Sequence, residues 1–106
     1  MTDRELLELA AKAAGIELRW YPDGTAYSDS RCKGYWGVWN PLTDDGDALR
    51  LAVKCNLNVC IGYGSVSACL QDDGSFHRIE ETKNNPDAAT RRAIVRSAAE
   101  IGRSMK

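Results

Sequence analysis

Apolar residues recur at helical spacing near both ends of this chain and at strand spacing between them. Leu6, Leu7, Ala10, Ala13 and Ala14 share one face of a helix wound at 3.6 residues per turn, with Arg4, Glu8 and Lys12 opposite. The predicted helix spans 3–14 and stops at Gly15, a residue that accepts the left-handed conformation. Small alanines on its inner face permit close approach to a sheet. Ile16, Leu18 and Trp20 then alternate with Glu17, Arg19 and Tyr21, the period of a half-buried strand. Pro22-Asp23-Gly24 makes a turn, because proline presets one dihedral and glycine accepts positive φ. A return strand is expected at 25–27, a polar loop at 28–34 and a further strand at 35–39.

The second helix is predicted over 44–55, with Leu49, Ala52 and Val53 inward, Asp47, Arg50 and Lys54 on a solvated edge, and Asn56 closing it. Val59 and Ile61, then Val66, Ala68 and Leu70, form two strands around Gly62-Tyr63-Gly64. Asp72-Asp73-Gly74 is a hairpin signal leading into a strand at 76–80. Asn85 and Pro86 open a last helix over 86–104, as cap and first-turn residue. Its buried face is marked by Ile94, Val95, Ala98, Ile101 and Met105. The order α-β-β-α-β-β-β-α implies an α+β domain with a mainly antiparallel sheet, one or both faces covered by helices. Order alone favours two layers.

The chain has 106 residues, enough for one domain with one modest core. Its apolar (43%) and charged (27%) fractions are those of a globular protein, and a formal net charge of −1 argues against general nucleic-acid or membrane-surface binding. No apolar run approaches a membrane span, and the first five residues lack the basic region of a signal peptide, so a cytosolic protein is expected. Cys32, Cys55, Cys60 and Cys69 form no CxxC pair, and His77 is the single histidine. They read as reduced thiols, with Cys55, Cys60 and Cys69 in apolar elements and Cys32 in the polar loop. No cofactor or metal is expected.

The densest chemistry lies in 39–53, Trp39-Asn40-Pro41-Leu42-Thr43-Asp44-Asp45-Gly46-Asp47-Ala48-Leu49-Arg50-Leu51-Ala52-Val53. Pro41 fixes the approach, Thr43 or Asp44 caps the helix, and Asp45 and Asp47 sit where the positive helix end favours carboxylates. The acids do not match a calcium loop: glycine splits them, and the twelfth position from Asp44 is Cys55. This stretch resembles the signature of small bacteriophage proteins of the phage ABA-sandwich domain family, and more distantly the NinX phage accessory family. The segments 3–15 and 88–102 are similar to the ends of those proteins, whereas 21–35 looks particular to this chain. The resemblance implies a single α/β/α (ABA) layered sandwich and a phage gene product in the cytoplasm of an infected bacterium. It carries over no catalytic residues.

Gly62-Tyr63-Gly64-Ser65-Val66 lacks the lysine of a phosphate loop and is followed by a strand, so it reads as a hairpin turn. No nucleophile–base pair is apparent, and His77 reads as a surface or edge residue. Along the last helix Arg92, Arg96 and Arg103 share the outer face, while Arg91 projects among Ile94, Ala98 and Ile101 and must either snorkel to solvent or find an acidic partner. Asp44, Asp45 or Asp47 is expected to supply it. Trp36 and Trp39 fall on different faces of their strand, which assigns one to structure and one to recognition. The expectation is a non-enzymatic accessory protein that binds a host or phage macromolecule, most readily a protein. Trp36, Trp39, Arg92, Arg96 and Arg103 are its candidate binding residues. The alternative is a module that sequesters a nucleotide-type signal of host defence, its base stacked on an aromatic ring and its phosphates held by arginines.

Overall fold

The computed structural model describes residues 2–29, 33–62, 65–70, 78–81 and 85–105. Helix α1 (Asp3–Ala14) begins where the Thr2 hydroxyl accepts the Glu5 N–H and ends at Gly15, φ 70°. Helix α2 (Asp45–Lys54) begins where the Asp44 carboxylate accepts the Asp47 N–H at 2.8 Å. Helix α3 (Pro86–Ser104) begins where the Asn85 side chain accepts the Ala88 N–H at 3.1 Å. Each cap satisfies a backbone donor that has no partner inside the helix. After α2 the chain turns at Asn56, whose φ of 57° is the left-handed conformation asparagine tolerates.

Strands β1 (Arg19–Trp20), β2 (Ala26–Ser28) and β3 (Gly37–Val38) form one small antiparallel sheet. Strands β4 (Leu57–Gly62), β5 (Ser65–Leu70) and β6 (Arg78–Glu81) form a second. The strand expected from Ile16 starts later because the Ile16 N–H is spent closing α1, donating to the Ala11 carbonyl at 2.8 Å. In the second sheet Gly62 pairs with Ser65, so only residues 63 and 64 separate β4 from β5. That turn, the Asp72-Asp73-Gly74 hairpin, Cys32 and His77 lie outside the described residues.

The result is an α+β domain of three helices packed with antiparallel sheet. Helix α3 is its hub, touching α1, α2 and all three strands of β4–β6. Ala68 of β5 and Ala93 of α3 are fully buried against each other's elements, and the buried Ser97 hydroxyl donates to the Ala68 carbonyl at 2.9 Å. The alanines of α1 face α3, not a sheet: Ala10, Ala11 and Ala14 are buried with Ala98 and Ala99. At Gly102 the helices approach so closely that a β-carbon there would stand 2.0 Å from the Leu9 carbonyl oxygen.

The expected inner face of α2 is corrected. Ala48, Leu51 and Ala52 are buried, whereas Leu49 is 65% and Val53 72% exposed. Asp47, expected on the solvated edge, is 2% exposed. The helix carries apolar residues around more than half its circumference, and the polar anchor at Asp47 decides which part turns inward. Met105, expected on the buried face of α3, is also exposed, since the helix ends at Ser104.

Candidate functional site

The acidic turn is committed to structure. Asp44 caps α2, and the buried Asp47 accepts the Asn40 N–H at 3.0 Å and pairs with Arg50 at 2.7 Å. The Asn40 side chain accepts the Leu42 N–H at 3.0 Å, folding the turn on itself. Asp45 meets Arg91 of α3, whose side chain is largely buried and whose Nε also donates to the Leu42 carbonyl at 2.9 Å. Arg91 therefore ties the entrance of α2 to α3 through both a carboxylate and a carbonyl. Among the described residues no three His, Cys, Asp or Glu side chains are close enough to hold a metal ion together.

The tryptophans separate. Trp39 is 3% exposed and belongs to the core with Leu6, Leu7 and Leu51, so it is a structural residue and not a surface for binding. Trp36 is half-buried and carries the Arg19 guanidinium over its ring, 3.9 Å from the centroid. A cation held over an aromatic face is attracted by the ring quadrupole and keeps the indole in one orientation.

Strand register extends this pair into a surface. Arg19 is paired with Tyr27, and Tyr27 with Val38, so the three stand in a row on one face of the β1–β3 sheet. The opposite face is the buried one, with Ala26 and Ser28 covered. Beside the row Tyr21 lies against Tyr27, ring centroids 4.5 Å apart, and is half-exposed. Tyr35, next to Trp36, is 76% exposed. Val38 is exposed as well. Asp23 shapes the β1–β2 turn by accepting the Thr25 N–H at 2.9 Å. That backbone hydrogen bond, reinforced by the Thr25 hydroxyl, holds its carboxyl below the usual value.

The arginines of α3 do not converge on this face, because α3 makes no contact with β1, β2 or β3. Arg92 pairs with Asp3 of α1 at 3.1 Å and Arg103 lies 3.9 Å from Glu100, while Arg96 is exposed and engaged in an interaction of its own. Of the five residues expected to bind, only Trp36 stands on the aromatic face. Arg19, Tyr21 and Tyr27 join it, and they escaped the sequence reading because their alignment depends on cross-strand register.

The thiols also separate. Cys55 is buried at the end of α2, and burial pushes its pKa up to about 11. Cys60, expected in an apolar interior, is exposed, because alternation along β4 turns Val59 to the core and Cys60 away from it. No family model, curated protein or solved structure matches this chain. Among the described residues no helix is long and apolar enough to cross a membrane.

Proposed function

We propose that this chain is a non-enzymatic bacteriophage accessory protein that binds a host or phage protein in the cytoplasm of an infected bacterium. The observation that carries the reading is the outer face of β1–β3, where Arg19, Tyr21, Tyr27, Trp36 and Val38 form one aromatic surface. Tyrosine, tryptophan and arginine are the residues that most often dominate binding energy at protein interfaces. They offer large contact area with few rotatable bonds and a polar group at the edge. The Tyr21–Tyr27 contact and the Arg19–Trp36 stack fix much of this surface before a partner arrives, which lowers the entropy lost on docking.

Two further features support a binding role over catalysis. The residues with the richest chemistry, Asp44, Asp45, Asp47 and Arg91, are engaged in capping and in pairing helices. The stretch 39–53 that resembles the phage family builds that same clasp, so the resemblance rests on scaffold residues, while the aromatic surface draws partly on the segment particular to this chain. The nucleotide-sequestering alternative needs phosphate-binding cations beside the stacking ring. The arginines of α3 are on an element that does not touch this sheet, and Arg19, the cation that does stand beside Trp36, is stacked on the ring and covers one of the faces a base would use.

The test is capture from a lysate of infected bacteria with the wild-type chain and with Trp36→Ala as paired baits. A partner protein retained by the first and lost from the second supports the reading. A partner retained equally by both baits contradicts it. A thermal-shift panel of nucleotides run beside it addresses the alternative, since a ligand that binds the folded state raises its apparent stability.

A further inference from the structure

Helix α2 presents a second surface that none of the described residues covers, made of different residues. Leu49 and Val53 stand one turn apart on its outward side, far more exposed than large aliphatic residues need to be. A shallow groove runs along each flank of this ridge. One, of about 360 Å³, is floored by Ala48, Ala52, Val59 and Ile94, and the other, of about 320 Å³, is walled by Ile16 and Trp39. A ridge between two apolar grooves is the shape that a second helix fills, its own ridge entering a groove.

The charges on α2 specify which helix. The half-exposed Asp44 carboxylate lies at the N-terminal end of the ridge, beside Gly46 and 3.8 Å from Arg50, and Lys54 stands at the C-terminal end. A helix laid antiparallel with the same sequence meets each end with its opposite. With the two-fold axis beside Leu49, the Leu49 side chains of the two copies lie side by side, each entering a groove of the other. Val53 then covers the first turn of α2 in the partner subunit. Lys54 reaches Asp44 of the partner subunit, and symmetry repeats every contact. A parallel arrangement would oppose acid with acid and base with base. We infer that the outward face of α2 is an isologous interface with a second copy of this chain, its two helices antiparallel and crossing at Leu49.

The contact is a small one. Two faces of a ten-residue helix bury less than the roughly 1,200 Å² of a stable interface, so the dimer is weak and reversible. Sedimentation velocity of the full chain from roughly 10 μM to 0.5 mM reads it, in the range where weak complexes populate. The expected result is a mass that rises toward that of two chains with concentration. Leu49→Glu and Val53→Asp should remain monomers across the range. Both positions are exposed, so the fold tolerates the change, and circular dichroism checks that it does. Lys54→Glu places like charges together and should weaken association about tenfold. Trp36→Ala should leave it unchanged, which separates this surface from the aromatic one. A chain that stays monomeric at the highest concentration overturns the inference. Association that survives both Leu49→Glu and Val53→Asp, or that is lost with Trp36→Ala, overturns it equally.

Discussion

Replacing Gly102 by alanine gives a prediction whose sign, not only its size, is set by the structure. In the interior of an exposed helix this change stabilises by about 1 kcal/mol, because glycine loses the more backbone entropy on folding. Gly102 lies inside α3 and is buried against α1, where a β-carbon would stand 2.0 Å from the Leu9 carbonyl oxygen and 2.8 Å from its carbon. Ordinary contact begins above about 3 Å, and the obstacle is backbone held in the hydrogen-bond ladder of α1, not the end of a movable side chain. The helices must separate by about 1 Å, loosening the alanine contacts at Ala10, Ala14, Ala98 and Ala99 that depend on close approach. Overpacking of this kind costs typically 1–3 kcal/mol, and backbone contact places it at the upper end. After the gain in helix propensity the net loss is about 2 kcal/mol. Urea unfolding followed by circular dichroism reads it as a midpoint lowered by about 1–2 M, given the slopes usual for a small domain. Gly46→Ala is the control, since a β-carbon there meets only the flexible end of Arg50 and the Asp44 carboxylate at 3.1–3.3 Å. It should be neutral within about 0.5 kcal/mol. A Gly102→Ala variant as stable as wild type, or more so, would refute the α1–α3 packing described above.

Arg91→Ala should cost on the order of 2–3 kcal/mol in the same titration, because it removes a charge-assisted bond to the Leu42 carbonyl and leaves that oxygen unpaired. Arg92→Ala removes only a solvated pair with Asp3 and should cost about 0.5 kcal/mol or less; equal losses for the two would show that Arg91 is not the tie between helices. With iodoacetamide at neutral pH, Cys60 should label in the native protein and Cys55 only on unfolding, as mass spectrometry with fragmentation will assign; the reverse order would place β4 the wrong way round. Stability should also fall as pH rises from about 8.5, where an unfolded thiol ionises, to about 11, where the buried Cys55 does, because over that window the unfolded state holds fewer protons. Cys55→Ala should flatten that slope in thermal melts run across the window.

The helices were legible in the sequence because their ends are written locally. Gly15, Asp44 and the Asn85-Pro86 pair each satisfy or terminate a ladder by themselves, without help from distant residues. Arg91 was legible for a similar reason, since an arginine projected among Ile94 and Ala98 has to find an acceptor. The orientation of α2 was not. Ala48, Leu49, Leu51, Ala52 and Val53 satisfy several inward faces equally, and the choice rests on Asp47 reaching Asn40 and Arg50. The aromatic surface was half legible. Alternation separated Trp36 from Trp39, but β1 to β3 are only two or three residues each and carry little periodic signal. Their register, which sets Arg19 beside Tyr27 and Tyr27 beside Val38, exists only once the chain has closed on itself.

The central claim is that the outer face of β1–β3 holds a partner protein. Its most direct test is the dissociation constant of the captured partner, measured by titration calorimetry for the wild type, Arg19→Ala, Tyr21→Ser, Trp36→Ala and Arg96→Ala. Truncating an aromatic anchor at the centre of an interface typically costs 2 kcal/mol or more, so Trp36→Ala should weaken binding by about 30-fold. Arg19→Ala frees the indole from its stack and should weaken it by a smaller factor, as should Tyr21→Ser, which removes the half-exposed ring beside Tyr27. Arg96→Ala, on a helix that does not touch this sheet, should bind as the wild type does. Wild-type affinity in Trp36→Ala together with loss in Arg96→Ala would contradict the account and move the binding surface to α3.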